Sequence, residues 1–417
     1  MYDQAFTRTT LKYCLTQDDF RKNTKLNNQA YKDKIIDRAY NRAEKGFSKK
    51  TKIVTSIRKG KPTYKFNSLS NEIVIRKIGQ NLKRITKVKQ ENRDKIMANI
   101  ISMVAEPLPY IIIRTDIKSF YESINIEKLL DKTNNIQILS NQSRKLLYSF
   151  FKMLSYKNIQ GIPRGMGISA VLSEFVLEHF DQAISKHDDV FYYSRFVDDI
   201  FILLDHNAIS KTILNYIKDK LPYGLELNLK KTKMYKIKKI QSSSIPEQIN
   251  EIEFLGYRIH ISNHNCSDNG KLTVKRRIDI GIANNKILRI KTRIVRSILS
   301  YNKNKDFNLL KNRVHVLTSN YSVFDRKLEY KRKTGIYYNY TLLSVSKYSD
   351  LNELDVFLRR IILAGREKVS IELNKHITTK EKRKLLNYTF RNGFKERRFC
   401  NFSADQLTKI MECWKYE

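Results

Sequence analysis

Two apolar stretches of this chain carry acidic residues, and this pattern restricts the possible folds more than any other sequence feature. The stretch YIIIRTDI, residues 110–117, is apolar and β-branched until it reaches Asp116. The stretch VFYYSRFVDDIFILL, residues 190–204, places Asp198 and Asp199 between two apolar halves. Such runs predict buried strands, and the second one predicts a β-hairpin with both carboxylates at its turn.

Carboxylates in apolar surroundings need a compensating positive charge, because burying an unpaired one costs several kcal/mol. We therefore expect Asp116, Asp198 and Asp199 to hold two Mg²⁺ ions, for which Mn²⁺ can substitute. Two-metal sites activate an attacking oxygen and stabilise the leaving oxygen of a displacement at phosphorus. The alternative for the Asp198–Asp199 pair is an ordinary hairpin turn, where aspartate is common.

The chain carries a large positive charge. It has 80 Lys and Arg residues against 42 Asp and Glu residues, which gives a formal net charge of +38. A surplus of this size is costly through self-repulsion unless a polyanion neutralises it, and nucleic-acid phosphate is the leading candidate. The alternative explanation is an AT-rich genome, which raises the content of Lys, Asn and Ile.

The sequence also argues against several other kinds of protein. Its four cysteines lie far apart and show no zinc-binding spacing, so we expect reduced thiols in a cytosolic protein. The opening segment MYDQAFTRTT lacks the apolar run of a signal peptide. No stretch approaches about 20 uninterrupted apolar residues, so no membrane span is expected.

Helices are predicted for much of the remaining chain. The glycine-rich loop 160–167 precedes a long amphipathic helix. From Lys271 onward the chain is predicted to be mostly helical and very basic, with nine Lys or Arg residues and one acid between residues 271 and 300. The final segment FSADQLTKIMECW predicts a helix that Ser403 caps and that has an apolar face ending at Trp414.

Five segments of the chain resemble the motifs of reverse transcriptases and occur in the family's order. TDIKSFYESI resembles motif A, QGIPRGMGISAVLSEF motif B, and RFVDDIFIL motif C. LNLKKTK resembles motif D, and FLGYRI resembles motif E, the primer grip. The resemblance covers residues from about 65 to 262, and five motifs in order are far more specific than any one of them.

This resemblance implies an α+β fold, the right-hand polymerase with fingers, palm and thumb. The palm would be a small antiparallel sheet backed by helices, and the thumb would be helical. Residues 1–109 would form the N-terminal region and fingers. Residues 110–262 would form the palm, with part of the fingers inserted, and residues 263–417 a basic, mostly helical thumb and C-terminal region.

The resemblance also implies roles for the acidic residues. Asp116 matches the first metal ligand, with the carbonyl group of Ile117 able to assist it. Asp198 matches the second catalytic acid, and Asp199 matches its partner, usually the less direct ligand. One departure is Phe196, which stands where the family usually has tyrosine; the ring remains but the phenol hydroxyl is gone.

Nucleotide contacts follow from the same resemblance. Tyr121 occupies the position of the aromatic steric gate that excludes a ribose 2′-hydroxyl, and the alternative is a core aromatic residue. Gln160 and Gly161 match the loop beneath the incoming nucleotide, and the alternative is an ordinary loop before a helix. Lys231 matches the motif D lysine that protonates the leaving group. Lys230 competes for that role, and a solvated lysine is the alternative.

Other basic and turn residues complete the predicted set. Arg84 and Arg93 are candidates for phosphate contacts from the fingers, and the alternative for both is a solvated helix face. The predicted primer grip consists of Phe254, Leu255, Gly256 and Tyr257. The nucleic-acid-binding residues predicted in the basic region are Lys275, Arg276, Arg289, Arg293 and Arg296.

Within the reverse transcriptases, the chain resembles bacterial defence-associated enzymes of the "unknown group" lineages. The segments GIYYNYTLL and LNELDVFLRRIIL resemble the small "a" subunit of the type 3 defence systems. This implies a structured non-coding RNA as template, a DNA product, dNTP substrates, and a second reverse transcriptase subunit or a homo-oligomer as partner. It implies no membrane partner, and the role would be defence against phage.

Several alternatives remain open from the sequence. A retron-like or group II-like reverse transcriptase would share the five motifs, but the NAxxH and VTG segments usual in retron enzymes are missing here. A template-independent DNA polymerase could use the same fold. A non-enzymatic RNA-binding scaffold would have no reason to keep three buried acids, and an RNA-dependent RNA polymerase would not favour Tyr121 beside the sugar.

Overall fold

The computed structural model describes residues 2–58, 60–239, 248–268, 271–325, 330–344 and 349–415. It has a mixed α+β fold, in which small antiparallel sheets are combined with many helices. No helix in these ranges is both long and apolar enough to cross a membrane. The thiols of Cys14, Cys400 and Cys413 are free, and the side chain of Cys266 lies outside the described part.

The helices are α1 (Arg8–Lys12), α2 (Gln17–Lys22), α3 (Gln29–Lys45), α4 (Leu69–Thr86), α5 (Arg93–Val104), α6 (Phe120–Ser123), α7 (Ile126–Asn134), α8 (Asn141–Ser155), α9 (Gly167–Ser185), α10 (Ser210–Lys220), α11 (Asn284–Asn304), α12 (Phe307–Thr318), α13 (Ser349–Leu363), α14 (Lys368–His376), α15 (Thr379–Leu386), α16 (Phe390–Lys395) and α17 (Ala404–Met411). Two short 3₁₀ helices cover Thr24–Asn27 and Glu412–Trp414.

The strands are β1 (Ile53–Arg58), β2 (Lys61–Phe66), β3 (Tyr110–Asp116), β4 (Val190–Phe196), β5 (Asp199–Asp205), β6 (Lys233–Ile237), β7 (Gln248–Phe254), β8 (Tyr257–Asp268), β9 (Lys271–Ile282), β10 (Asn320–Asp325) and β11 (Tyr330–Gly335).

The chain divides into two compact units. The first combines Met1–Asn92 with Pro109–Lys238, and the second combines Arg93–Leu108 with Lys239–Glu417. These boundaries differ from the three regions predicted from the sequence, since α5 belongs with the later part of the chain. The division into two compact units does not test where fingers, palm and thumb begin and end. The assignment of those three regions therefore stays a prediction.

A four-stranded antiparallel sheet lies in the first unit, with the strand order β4-β5-β3-β6. The apolar run that ends in Asp116 forms β3, and the run around Asp198 and Asp199 forms the hairpin β4–β5. The sequence prediction is therefore confirmed for both. Strands β3 and β5 are buried along almost their whole length, which explains why they are continuously apolar instead of alternating.

Helix α9 packs into the same core as this sheet. Its buried residues include Leu172, Phe175 and Phe180, which belong to one hydrophobic cluster with Ile113 of β3 and Ile202 of β5. The helix starts directly after the glycine-rich loop, as the sequence predicted. Packing of α9 therefore fixes the end of that loop relative to the strands that carry the acids.

The second unit contains a three-stranded antiparallel sheet, β7-β8-β9. Strands β7 and β8 join at the turn Leu255–Gly256, where both residues have positive φ, so the predicted hairpin at FLGYRIHI is confirmed. Residues 271–282, however, form strand β9 and not the helix predicted from their basic composition. The antiparallel pair β10–β11 also interrupts the helices of this unit.

The predicted C-terminal helix is confirmed. Ser403 caps α17 in a capping box with Gln406, and Trp414 follows in a 3₁₀ turn. Trp414 is buried, and its indole N–H donates to the carbonyl oxygen of Arg293 and to Ser297 Oγ, both at 3.1 Å. The last segment of the chain is thus fastened to α11.

Trp414→Ala is expected to lower the free energy of unfolding by about 3–5 kcal/mol, because it leaves a large cavity and removes both hydrogen bonds. Chemical denaturation followed by circular dichroism measures this, since Trp414 is the single tryptophan and its fluorescence is lost. Trp414→Phe keeps most of the packing and should cost less. An alanine variant within about 1 kcal/mol of the parent protein would contradict the expected packing role.

Candidate active site

The three predicted acids lie at the same end of the sheet in the first unit. Asp116 is the last residue of β3, and it is paired directly with Asp199, the first residue of β5. The backbone N–H of Ile117 donates to the carbonyl oxygen of Asp198 at 3.0 Å. The end of β3 is thereby fastened to the turn of the β4–β5 hairpin, and three carboxylates are brought to one place.

The hairpin turn has an unusual backbone. Phe196 pairs with Asp199, so Val197 and Asp198 are the two turn residues. Val197 has a φ of 61°, in the left-handed region that is strained for a β-branched residue. A two-residue hairpin normally has glycine, asparagine or aspartate at such a position, so this turn is held in place by more than its own preference.

Burial makes the charged forms of the hairpin acids unfavourable. It raises the pKa of Asp199 to about 6, and the nearby charge of Asp198 contributes to this rise. Burial also raises the pKa of Asp198, and the charge of Asp116 adds to this effect. Both directions follow from the burial of neighbouring carboxylates, whose charged forms are less favourable here than in water.

Lys231 places a positive charge beside Asp116. Its Nζ lies 2.6 Å from Oδ2 of Asp116, and this hydrogen bond raises the pKa of the lysine. The backbone places it there: the N–H of Asn228 donates to the carbonyl oxygen of Asp116, and Leu227 forms a β-bridge with Ile117. The contact with Asp116 favours Lys231 over Lys230 for the predicted motif D role.

The other carboxylate oxygen of Asp116 is suited to a metal ion. Asp116 Oδ1 is buried, and within the described part of the chain no donor reaches it. Asp198 and Asp199 offer further hard oxygen ligands beside it. Among the described residues, no group of three or more His, Cys, Asp or Glu side chains is arranged to hold a metal ion by itself.

Tyr121 lies on α6, shortly after Asp116. Its ring is half-buried at the edge of the core and contacts Phe120, with 5.4 Å between the ring centroids. The guanidinium carbon of Arg164 lies 4.8 Å from the ring centroid of Tyr121. Burial raises the pKa of the phenol, which also forms a hydrogen bond with Ser173. Tyr121 is therefore fixed in orientation, as a steric gate requires.

The glycine-rich loop contacts the segment that carries Tyr121. Gly161 has a φ of 61°, and a Cβ atom there would lie 2.2 Å from the carbonyl oxygen of Tyr121. The N–H of Ile162 donates to that same oxygen at 2.8 Å. Gln160 is exposed beside this contact. The structure thus brings together the loop and the aromatic residue that the sequence linked only by family resemblance.

The predicted primer-grip residues form the β7–β8 turn in the second unit. Phe254 and Tyr257 are buried on either side of the turn residues. Arg93 holds this turn, because its Nε donates to the carbonyl oxygen of Leu255 at 2.8 Å and its guanidinium carbon lies 4.7 Å from the Tyr257 ring centroid. These contacts of Arg93 support the hairpin and do not favour the predicted phosphate contact, which stays a prediction.

Arg276 is likewise largely occupied by contacts within the protein. It lies on β9, is only 9 % exposed, and donates from Nη1 to the carbonyl oxygens of Glu106 and Leu108 at 2.6 and 3.0 Å. These bonds tie Nη1 to the backbone of its own unit, which does not favour the predicted phosphate contact, and that role stays a prediction. Lys275, its neighbour on β9, is exposed.

The arginines predicted on one helix face are Arg289, Arg293 and Arg296, and all three lie on α11. Each is half-buried and interacts with other groups of the protein. Arg293, for example, stacks against Trp414. Arg84 on α4 is exposed, with its guanidinium carbon 5.7 Å from the ring centroid of Tyr2. Phosphate binding by these four residues stays a prediction.

Sequence reasoning missed two arginines that support the site. Arg164 makes a two-pronged ion pair with Glu122, at 2.6 and 2.9 Å, while it covers the Tyr121 ring. Arg195, the residue before Phe196, is buried and bonded to acids of α9. A charged residue inside an otherwise apolar strand was the available signal for Arg195, because such a charge requires a buried partner.

Comparisons with solved structures give distant similarity to telomerases. Truncated apo telomerase from Candida tropicalis is 16 % identical, with 50 % of this chain and 53 % of that chain covered and a TM-score of 0.35. Telomerase from Candida albicans in complex with a telomeric RNA fragment is 14 % identical. The match covers 87 % of this chain and 61 % of that chain, with a TM-score of 0.37. The chain thus spans less than two thirds of these structures. No curated protein gives a significant match.

The comparison with protein families is more specific. Residues 59–259 match the family described as "Reverse transcriptase (RNA-dependent DNA polymerase)". This range includes all three acids, the glycine-rich loop, Lys231 and the β7–β8 turn. The α+β fold and the strand-end acids agree with it. The match covers a little under half of the chain, and within residues 59–259 the sequence is similar to a reverse transcriptase domain.

Proposed function

We propose that this chain is an RNA-directed DNA polymerase that adds dNTPs to a 3′-hydroxyl by two-metal nucleotidyl transfer. The observation that carries the proposal is the meeting of Asp116, Asp198 and Asp199 at one end of the buried strands, inside the region that is similar to a reverse transcriptase domain. The buried Oδ1 atom of Asp116, which has no donor among the described residues, supports a cation at this position.

The residues that would hold Mg²⁺ or Mn²⁺ are Asp116, Asp198 and Asp199, with the carbonyl group of Ile117 as an additional ligand. Bound there, the ions supply activation of the attacking hydroxyl and neutralise charge on the leaving pyrophosphate. The strands contribute rigidity, because both β3 and β5 are buried and paired with each other up to the acids. The protein thereby avoids reorganising its charged groups during the reaction.

Lys231 and Tyr121 have separate roles in this proposal. The side chain of Lys231 is 64 % exposed although it contacts Asp116, so it can move toward a triphosphate. Its raised pKa keeps it protonated at neutral pH, ready to donate to the leaving group. Tyr121 is held by Arg164 and Phe120, and its ring would exclude a sugar with a 2′-hydroxyl.

Primer extension tests this function directly. The purified protein is given dNTPs or NTPs with an RNA template, a DNA template or no template, each with Mg²⁺ or Mn²⁺. RNA-templated incorporation of dNTPs is the expected result. Incorporation without template would make the chain a template-independent polymerase on this fold, and NTP incorporation would make it an RNA polymerase. No incorporation under any condition would favour an RNA-binding scaffold.

We further propose that the natural template is a structured non-coding RNA and that the enzyme acts in antiphage defence. The support is the resemblance of residues 335–343 and 351–363 to the small "a" subunit of type 3 defence systems. A second reverse transcriptase subunit or a homo-oligomer is the corresponding partner. Sequencing the nucleic acid that copurifies with the protein tests this, and a mixture of unrelated cellular RNAs would contradict it.

The α11 arginines are expected to bind nucleic acid through phosphates. Replacing Arg289, Arg293 and Arg296 with alanine should lower the slope of log affinity against log salt by about one for each phosphate that the variant no longer neutralises. The control replaces Lys380, Arg383 and Lys384 of α15, which removes the same charge from another helix of the same unit. Equal slopes in the two variants would show that the salt dependence of binding follows the net charge of the protein and not the α11 arginines in particular.

A further inference from the structure

One buried arginine connects the hairpin turn of the active site to helix α9. The side chain of Arg195 is 4 % exposed. Its Nη2 lies 2.6 Å from Oε2 of Glu174 and 2.7 Å from Oδ2 of Asp181, and its Nε donates to Oδ1 of Asp181 at 2.8 Å. Its remaining nitrogen, Nη1, donates to the carbonyl oxygen of Val197 at 2.8 Å. All these bonds lie within the first compact unit.

The acids that hold Arg195 belong to a rigid support. Glu174 and Asp181 both lie on α9, the helix that begins directly after the glycine-rich loop. The hydroxyl of Tyr193 also donates to Oδ1 of Asp181, at 2.5 Å, which fixes this carboxylate further. Two carboxylates therefore orient one guanidinium, and a planar guanidinium bonded in this way has little freedom to turn.

The carbonyl group of Val197, which Arg195 contacts in the turn, affects where the next residue, Asp198, lies. The Val197 carbonyl belongs to the peptide group that leads into Asp198. Val197 itself has the strained φ of 61°, and a strained residue persists only where its surroundings hold it. The Nη1 hydrogen bond fixes the direction of that carbonyl, and therefore the backbone from which the Asp198 side chain starts.

We propose that Arg195 is a positioning residue that holds the Val197–Asp198 turn in its catalytic geometry and transmits the position of α9 to it. This inference rests on the proposed polymerase function, since it names what keeps the acids of that site in place. The competing explanation is an ordinary buried ion pair that stabilises the fold without affecting the turn.

The two explanations differ in what glycine at residue 197 should do. Glycine adopts positive φ without strain, so Val197→Gly removes the need for an external restraint on the turn. If Arg195 acts by holding the turn, Val197→Gly should restore activity to an Arg195 variant. If Arg195 only stabilises the fold, glycine at residue 197 has no reason to restore anything.

The central test uses Arg195→Met combined with Glu174→Gln, which removes one positive and one negative charge together. We expect kcat for primer extension to fall about a hundredfold, the size of effect that a small misplacement of a catalytic group produces. The KM for dNTP should change little. Hydrogen–deuterium exchange without nucleotide should become faster at residues 197–199. Adding Val197→Gly should recover at least about a tenth of the lost rate.

Arg76→Met with Asp19→Asn is the matched control. Arg76 and Asp19 form another ion pair in the same unit, at 2.5 Å, between α4 and α2 and outside the four-stranded sheet. This variant should lose stability while exchange at residues 197–199 stays as in the parent. If the Arg195 double variant does not fold, Arg195→Lys replaces it, because one ammonium retains the charge and cannot reproduce all the guanidinium contacts.

The outcomes separate this inference from the function on which it rests. Unchanged exchange at residues 197–199 in a folded Arg195 variant, or no recovery with Val197→Gly, overturns the positioning role. Full activity after replacement of Asp198 and Asp199 overturns the proposed polymerase site instead. The exchange measurement needs neither metal nor substrate, so it reports on the turn whichever result the activity assay gives.

Discussion

Replacing Asp198 and Asp199 together with asparagine is expected to lower the rate of DNA synthesis by about a thousandfold or more. The two carboxylates are proposed to hold the ions that stabilise charge in the transition state, a contribution of several kcal/mol, and each 1.36 kcal/mol is about tenfold in rate. Single-turnover primer extension with saturating dNTP measures the loss.

The same replacement should leave the protein folded. Burial already makes the charged forms of both acids unfavourable, as their raised pKa values indicate, and asparagine removes that cost while it keeps the size of the side chain. Asp205→Asn at the far end of β5 is the matched control, since the contacts of this acid are with the next turn, at His206 and the N–H of Asn207. A double variant that keeps more than a few per cent of the parent rate would make the metal assignment wrong.

Tyr121→Val is expected to raise the ratio of NTP to dNTP incorporation by about a hundredfold, roughly the limit to which an apolar pocket can reject an added hydroxyl. The ring is held by Arg164 and Phe120, so it acts as a fixed wall, and valine leaves space where a 2′-hydroxyl would lie. The ratio is the useful measure, because it cancels any general loss of rate from weakened packing.

Tyr121→Phe separates the ring from its hydroxyl. Phenylalanine keeps the wall and loses only the hydrogen bond to Ser173, so the ratio should stay close to that of the parent. If the valine variant is folded and selects sugars as the parent does, Tyr121 is a core aromatic residue, which was the alternative from the sequence. A phenylalanine variant with relaxed selection would move the effect from the ring to the hydroxyl.

The central part of the fold was predictable because its sequence signal is local and strong. Strands β3 and β5, which lead to Asp116 and away from Asp199, are buried along almost their whole length, so nearly every residue in them is apolar and the acids stand out. The C-terminal helix was predictable for a similar reason: its capping box and its apolar stripe are both short-range patterns. In each case neighbours along the chain determine the structure.

Strand β9 was missed because charge obscured its periodicity. In KLTVKRRIDIGI the apolar residues Leu272, Val274, Ile278, Ile280 and Ile282 alternate with other residues, as they do in a half-buried strand. Arg276 falls in the apolar series, and its burial follows from that position. This segment was included in a region predicted to be mostly helical and very basic, whereas its alternation indicates a strand.

The backbone geometry and the side-chain contacts around the three acids could not be predicted in detail from the sequence. The positive φ of Val197 contradicts the preference of a β-branched residue, so no local rule anticipates it. The partners of Arg195 lie 14 and 21 residues away on another element. Such contacts depend on how α9 packs against the sheet, which is a property of the assembled core.

The glycine at residue 161 has a consequence for how this protein can evolve. Any side chain there would place its first carbon 2.2 Å from one carbonyl oxygen and 2.7 Å from the next, and both oxygens belong to backbone. Neither can move without displacing Tyr121, so no single substitution at this position preserves the geometry around the gate. A lineage that starts from this chain can leave glycine at 161 only by rebuilding two segments at once.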